Sequence, residues 1–398
     1  PDLSRPASIL RDADMSVALD ARAVRVARVG EGMVHAGRIR LKLVKDAKTA
    51  RLEQLTLANL GGANLVARGE MDERDGALEI EVDAQRLSEL ASLVQRVMPG
   101  PIAEALAARA VALTPAKASL KLLAMRDSDA LRLHTLELDA TARGTRWQAS
   151  LRPQAQSGIA SGTLRVETRD APMLLRQLGV EVLPVALNGG GRLQASLRAG
   201  QQGGFDLSAS GAIGGVDLSF DGQVATSRSQ GAITLNTRDA APLLRSIGYG
   251  LPDVTQVLPF EGHAQLDWQG TKLQLNQLNG ALMGQRLGGA LNIDWPNARV
   301  QMSGDLQAQR VNLPQLASLL MGPSLSVKQG ELWSDQPFAP GMGDVPRMEL
   351  RLRAQELVAF DQVSLGSASL NVTSAPGVIS FTQLDALMGS SRIAGEVS

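Results

Sequence analysis

The chain has 398 residues with 40 basic and 40 acidic side chains, so its formal net charge is zero and no overall positive field favours nucleic acid as a partner. The absence of cysteine excludes disulfides, thiolate metal sites and cysteine nucleophiles. Hydrophobic residues make up 44% of the chain but aromatic residues only 3%, so the apolar side chains are almost all aliphatic.

Apolar and polar residues alternate in short runs along most of the chain. Because successive side chains of a strand point to opposite faces of a sheet, such runs predict strands with one apolar and one solvated face. The clearest runs place nine apolar residues on the apolar faces of their strands: Ile39, Leu41, Leu43, Leu78, Ile80, Val82, Met348, Leu350 and Leu352. Glycines such as Gly61, Gly62, Gly288, Gly289 and Gly389 lie between runs, where hairpin turns or bulges favour a positive φ. The sequence therefore predicts an antiparallel meander.

Short helices are predicted between some of these strands. Asp170 can cap a helix, Pro172 lies in its first turn, where no N–H donor is needed, and Gly179 can end it. The same pattern returns with Asp239, Pro242 and Gly248. A looser copy is predicted from Asn312 to Gly322, and a longer helix from Asp83 to Val97 is followed by another over residues 102–113.

The helices mark a repeated unit. Each follows a strand that we expect to start at a glycine, at Gly76, Gly162, Gly231 and Gly304. The first 72 residues also resemble the last 72. We therefore predict five segments, over residues 1–72, 73–161, 162–230, 231–303 and 304–398, the last containing a second copy of the first module. Stacked repeats that contact only their neighbours predict a mainly β fold with short helices, arranged as an elongated, twisted antiparallel β-groove of taco-like repeats.

Residues with catalytic or metal-binding potential are scattered. The three histidines, His35, His134 and His263, have no metal-ligand spacing. Glu79 and Glu81 lie on one strand face, but every solvated strand face here carries such residues. The acidic residues of 72–76 are better explained by a hairpin turn than by a calcium loop, since the bidentate glutamate is missing. The sequence predicts no catalytic residues, no metal and no cofactor.

Membrane helices are not predicted either, because no stretch reaches the roughly 20 apolar residues that a span requires. The sequence starts with Pro1 and shows no signal-peptide pattern. We expect it to be part of a longer protein.

Three motifs together resemble the bacterial AsmA family. They are the Asp-Ala-Pro-x-Leu-Leu helix motif, the segment Gly-Glu-Leu-Trp-Ser-Asp-Gln-Pro-Phe over residues 330–338, and the closing phrase Leu-Asp-Ala-Leu-Met-Gly-Ser-Ser-Arg-Ile-Ala-Gly over residues 384–395. The resemblance covers most of the chain and is strongest from Gly162 onward. The chain departs from the family pattern in lacking an amino-terminal membrane helix and a Trp-Ser-Asp phrase in its first module.

The resemblance implies a periplasmic protein of a Gram-negative bacterium, anchored in the inner membrane through a segment absent from this chain. It further implies a long β-groove with an apolar concave face that carries phospholipid toward the outer membrane, with envelope proteins as partners at its ends. The function predicted is non-enzymatic lipid transfer, with the nine alternating apolar residues as groove candidates and phospholipid or another acyl lipid as the partner. The alternative is a structural or adhesive β-repeat protein whose apolar face is buried in a closed core.

Overall fold

The computed structural model describes residues 14–26, 34–46, 48–97, 100–127, 130–154, 158–179, 187, 189–200, 204–225, 227–246, 257–295, 300–313, 347–360, 363–375 and 378–397. Within these ranges the chain forms 21 strands and four short helices. The strand pairs within each of the two units described below are antiparallel, with one exception. The prediction of a mainly β, antiparallel fold with interspersed helices is confirmed. The chain divides into two compact units.

The first unit comprises Pro1–Val180 and Gly191–Ala199. Its strands are β1 (Met15–Val26), β2 (Val34–Lys45), β3 (Ala50–Leu60), β4 (Ala63–Met71), β5 (Asp75–Ala84), β6 (Ala116–Asp127), β7 (Ala130–Ala142), β8 (Thr145–Gln154), β9 (Gly158–Thr168) and β10 (Gly191–Ala199). Each strand pairs antiparallel with the next one in the sequence. Helices α1 (Ser88–Val97) and α2 (Pro101–Arg109) follow β5, and α3 (Ala171–Leu178) follows β9.

The second unit comprises Glu181–Gly190 and Gly200–Ser398. Its strands are β11 (Phe205–Ile213), β12 (Val216–Val224), β13 (Ser229–Thr237), β14 (Phe260–Gln269), β15 (Lys272–Leu282), β16 (Gln285–Asp294), β17 (Gln301–Asn312), β18 (Arg347–Phe360), β19 (Val363–Ala375), β20 (Val378–Met388) and β21 (Ser391–Val397). Helix α4 (Ala241–Ser246) follows β13. Strands β17 and β18 pair in parallel, so the predicted antiparallel meander is interrupted at this one pair. A parallel pair requires a long crossover connection, which the chain between β17 and β18 is long enough to make.

Strand register aligns the apolar side chains into rows across each unit. Directly opposed residues of antiparallel strands place their side chains on the same face of the sheet. One row crosses the first unit from β2 to β10: Leu41, Leu55, Ala67, Ile80, Leu120, Leu138, Ala149, Leu164 and Ala195. In the second unit one row consists of Ala209, Phe220, Ile233 and Ala264, and another of Leu278, Gly289, Leu306, Leu352 and Leu370. We call this side of each unit the apolar face and the opposite side the polar face.

Several glycines lie inside strands on the apolar face, where the sequence suggested that they start strands. Gly304 is the fourth residue of β17, and a Cβ atom there would lie 2.3 Å from the carbonyl oxygen of Ala290 on β16. Gly231 pairs directly with Gly222, and its Cβ would lie 2.4 Å from the carbonyl oxygen of Asp221. Only glycine permits such a close approach of neighbouring backbones at these positions.

The helices begin where the strand ladder ends. The predicted start at Asp83 is wrong, because β5 continues to Ala84, which pairs with Ala63 and Ala116, and α1 begins at Ser88. In α3, Asp170 accepts a hydrogen bond from the N–H of Met173, Pro172 is the second residue, and Gly179 ends the helix with a φ of 90°.

Helix α4 repeats this arrangement. Asp239 accepts hydrogen bonds from the backbone N–H groups of Ala241 and Leu258, both at 3.0 Å, and Pro242 is the second helical residue. Its predicted end at Gly248 lies outside the described residues. So do most of the helix predicted from Asn312 to Gly322 and the whole of the Trp-Ser-Asp segment 330–338; Asn312 itself is the last residue of β17.

Two hairpins of the second unit, β15–β16 and β20–β21, share a backbone pattern. Gln277 and Gln383 adopt positive φ values of 52° and 53°, and each lies at a break in strand register. Each hairpin also has a glycine of positive φ, Gly284 or Gly389, in the following turn. A bulge and a turn at matching places indicate a local structural repeat. The division of the whole chain into five segments stays a prediction.

Candidate functional site

The apolar face brings together six of the nine groove candidates. Ile39, Leu41 and Leu43 lie on β2, and each is connected through the intervening strands β3 and β4 to one candidate on β5. The resulting rows are Ile39–Leu57–Leu65–Val82, Leu41–Leu55–Ala67–Ile80 and Leu43–Leu52–Gly69–Leu78. The remaining three candidates, Met348, Leu350 and Leu352, lie on β18 in the second unit.

Burial separates these nine residues into two groups. The six candidates of the first unit and Leu350 are half-buried. Met348 and Leu352 are buried in a cluster with residues of β19 and β20, including Leu370 and Val372. The β18–β20 part of the second unit therefore has a local closed core. In the first unit Val82 and Ile39 are half-buried but pack against buried clusters near the helices.

The pattern of burial along single strands shows how the apolar face meets solvent. In β10, β11 and β13 most polar side chains are exposed, whereas most apolar ones are half-buried and not fully buried. In a sheet whose apolar face packs against a second sheet or a layer of helices, the inward side chains become fully buried. Among the described residues, lateral contacts between neighbouring side chains therefore provide much of the cover for this face.

Among the described residues, helices pack on the apolar face along one end of the strands, which we call the helix rim. In the first unit α1 and α2 pack on a buried cluster that includes Ala63, Ala84 and Ala110. In the second unit α4 contributes to a cluster of Ala240, Ala241 and Leu258.

Helix α3 is attached to the same rim by polar contacts. Gln177 is 3% exposed, and its Nε2 donates hydrogen bonds to the carbonyl oxygens of Ala112 and Ala142. Arg109 at the end of α2 donates from Nη2 to the carbonyl oxygen of Leu178 at 3.3 Å. A cation at the carboxyl end of a helix is also favoured by the helix dipole. These contacts hold α3 against α2 and the end of β7.

In each unit the opposite ends of the strands form the far rim, where several large apolar side chains of the apolar face are exposed. Met71 at the end of β4 is 48% exposed, Leu133 near the start of β7 is 36% exposed, and Trp268 near the end of β14 is 46% exposed. The Nε1 of Trp268 donates to the carbonyl oxygen of Gly270, and its ring makes an edge contact with Trp295 at 6.2 Å. The buried clusters that contain residues of the described helices include none of these far-rim residues.

Sequence reasoning missed most of the apolar face. The nine candidates came from the clearest runs, but register adds residues of β3, β4 and β6–β10, such as Leu120, Leu138 and Leu164. The alternation of apolar and polar residues in 131–138 could have predicted that Leu136 and Leu138 lie on the apolar face. The far-rim residues carry no such signal, because their exposure depends on where the helices pack.

The polar face is a network of exposed ion pairs between neighbouring strands. Arg38 pairs with Asp20, Lys121 with Glu79, and Arg146 with Asp139. The hydrogen bond from Arg38 holds the pKa of Asp20 below its usual value, and a hydrogen bond from Arg146 does the same for Asp139. Pairs this exposed contribute little to stability, because water and salt screen the two charges. They keep this face in water and favour the correct register.

In the part of the chain that the structure describes, no three His, Asp or Glu side chains group as a potential metal site. None of the described helices has the length and apolar character needed to cross a membrane. Comparison with protein-family models, curated proteins and solved structures finds no match. The candidate site is therefore the apolar face itself.

Proposed function

We propose that the chain is a non-enzymatic lipid-transfer segment that binds phospholipid acyl chains along the apolar face of each unit. The observation that carries this proposal is the largely half-buried apolar face, which register assembles from most of the described strands and which the described helices cover along one rim.

Energetics favour a hydrocarbon ligand for such a face. Each CH₂ group removed from water contributes about 0.8 kcal/mol, and the partly exposed side chains of the face gain in the same way when an acyl chain covers them. Aliphatic side chains dominate the rows, so contact with a flexible hydrocarbon requires neither aromatic stacking nor hydrogen bonds at fixed points. A uniform surface of this kind lets a lipid move along it without one dominant binding position.

The proposed cellular setting follows from the sequence resemblance to the AsmA family. In that setting the chain works in the periplasm, between the inner and outer membranes, and supports outer-membrane biogenesis.

A pair of substitutions on adjacent residues of β13 tests the proposal. Leu235 is half-buried on the apolar face, and Thr234 is exposed on the polar face. Both are replaced by aspartate, which introduces the same charge one residue apart. Phospholipid bound to the purified protein is measured by native mass spectrometry and lipid extraction. We expect Leu235→Asp to stay folded and bind less lipid, and Thr234→Asp to bind as much as the parent chain.

A second function, a structural or adhesive β-repeat with a closed core, is favoured by the buried cluster of β18–β20. A closed core predicts a different result for the same two substitutions, Leu235→Asp and Thr234→Asp. Leu235→Asp would then unfold the second unit, because a buried carboxylate without a partner is strongly destabilising, and the parent chain would carry no phospholipid. That combination would refute lipid transfer.

A further inference from the structure

The two rims of the apolar face differ in a way that orients a bound lipid. At the helix rim of the first unit the strand ends are sealed, since Ala84 is fully buried and Ala142 is 4% exposed. The hydrogen bonds of Gln177 to Ala112 and Ala142 attach α3 over this end of the sheet. A lipid head group at this rim would have to displace packed helices.

The far rim of the same unit contains a notch. Strand register places Met71, Gly76, Ala124 and Leu133 in one row across β4, β5, β6 and β7, all on the apolar face. The two outer residues of the row are large and exposed, and the two inner residues are the smallest available. We call these four residues the rim notch.

The width of the notch suits the two acyl chains of one phospholipid. Neighbouring strands lie about 4.8 Å apart, so Met71 and Leu133, three strands apart, are separated by roughly 14 Å along the row. Because Gly76 has no side chain and Ala124 has only a methyl group, the surface between Met71 and Leu133 is recessed. A pair of acyl chains can therefore pass between the two larger side chains onto the rows behind them.

Charged groups of both signs border the notch on the solvent side. The backbone N–H of Arg126 donates to the carbonyl oxygen of Arg74 at 2.7 Å, which brings the ends of β6 and the β4–β5 turn together. Asp72 lies in the same turn and accepts hydrogen bonds from the backbone N–H groups of Arg74 and Asp75. Arg74 and Arg126 are exposed here, as are Glu73 and Asp75 of the turn, so cations and carboxylates are both available to the phosphate and the amine of a zwitterionic head group.

From these observations we infer that the rim notch is the port through which a phospholipid enters and leaves the first unit, with its acyl chains on the apolar face and its head group at the far rim. The inference rests on the proposed function and adds an orientation and a location to it.

Site-specific labelling tests this orientation, and the absence of native cysteine allows single-cysteine variants of the full chain. A fluorophore is attached at Met71→Cys in the notch or at Val111→Cys, which is 75% exposed beside the helix rim. The probe is phosphatidylethanolamine with a nitroxide on its head group. We expect loss of fluorescence at position 71 and no loss at position 111.

A blocking variant provides an independent measurement. In Ala124→Phe a ring fills the floor of the notch, and we expect slower lipid uptake and slower lipid release than in the parent chain. The control is Val111→Phe, which adds the same ring at the helix rim and leaves both rates unchanged. Quenching at position 111 but not at 71, or unchanged rates in Ala124→Phe, overturns the inference while lipid binding still stands. If no lipid binds to any variant or to the parent, the proposed function fails and the inference with it.

Discussion

Two leucines of the first unit test whether the apolar face is uncovered in solution. Leu174 on α3 has none of its surface exposed, whereas Leu138 on β7 is half-buried on the apolar face between Leu120 and Ala149. Replacing a fully buried leucine by alanine costs about 2–5 kcal/mol, because a cavity is left in addition to the lost transfer energy. Leu138→Ala should cost only about 1 kcal/mol, since the three lost carbons are half in water already and no closed cavity forms.

The assay must report on the first unit alone. Trp147 is the one tryptophan before residue 200, so replacing Trp268, Trp295 and Trp333 by phenylalanine makes its fluorescence a probe of that unit. Urea unfolding of the two alanine variants in this background gives the free energy of unfolding from the midpoint and slope. A difference of about 2 kcal/mol between them is expected from the values above.

Equal losses of stability in the two variants would refute the reasoning, because Leu138 would then be as fully covered in solution as Leu174. Phospholipid provides a second comparison within the same experiment. A ligand that binds only the folded state adds about 2.7 kcal/mol at a hundred times its dissociation constant. The parent chain should therefore unfold at higher urea when phospholipid is present, and a chain whose apolar face is already covered should not.

Three further predictions concern the strands, a helix cap and an ion pair. Gly304→Ala should destabilise the second unit by about 1–3 kcal/mol, since its Cβ would overlap the carbonyl oxygen of Ala290, while Gly395→Ala, which meets no atom within 4 Å, should be nearly neutral in thermal unfolding. Asp239→Ala should cost about 1–2 kcal/mol in the same measurement, because two backbone donors lose their acceptor. The pKa of Asp267 is lowered chiefly by the hydrogen bond from Arg228, so the stabilising effect of its carboxylate is present above the ordinary aspartate pKa and is lost as the pH falls through the lower folded value. An NMR titration should show this pKa rising in Arg228→Gln, and an unchanged value would contradict the assignment.

Strand positions could be predicted well because alternation is local. Leu78, Ile80 and Val82 alternate with acidic residues, and a strand backbone alone then requires that they share one face. The caps of α3 followed from residue chemistry in the same way, since Asp170 and Gly179 act on atoms only a few positions away.

Other features depended on partners that are distant in the sequence. A glycine such as Gly304 looks like a strand start when read alone, and only the neighbouring strand shows that it permits a close backbone approach. The parallel pairing of β17 and β18 likewise requires a choice between alignments that the sequence pattern does not distinguish.

Composition and alternation by themselves determined that this protein has strands with one aliphatic and one charged face, because side-chain direction in a strand is a property of the local backbone. The tertiary structure decided how those faces are covered. Helices pack along one rim and leave Met71, Leu133 and Trp268 exposed along the other, while β18–β20 bury Met348 and Leu352 among themselves. Coverage is a property of which elements meet in space, and this decides whether a run of leucines forms a core or a surface for a ligand.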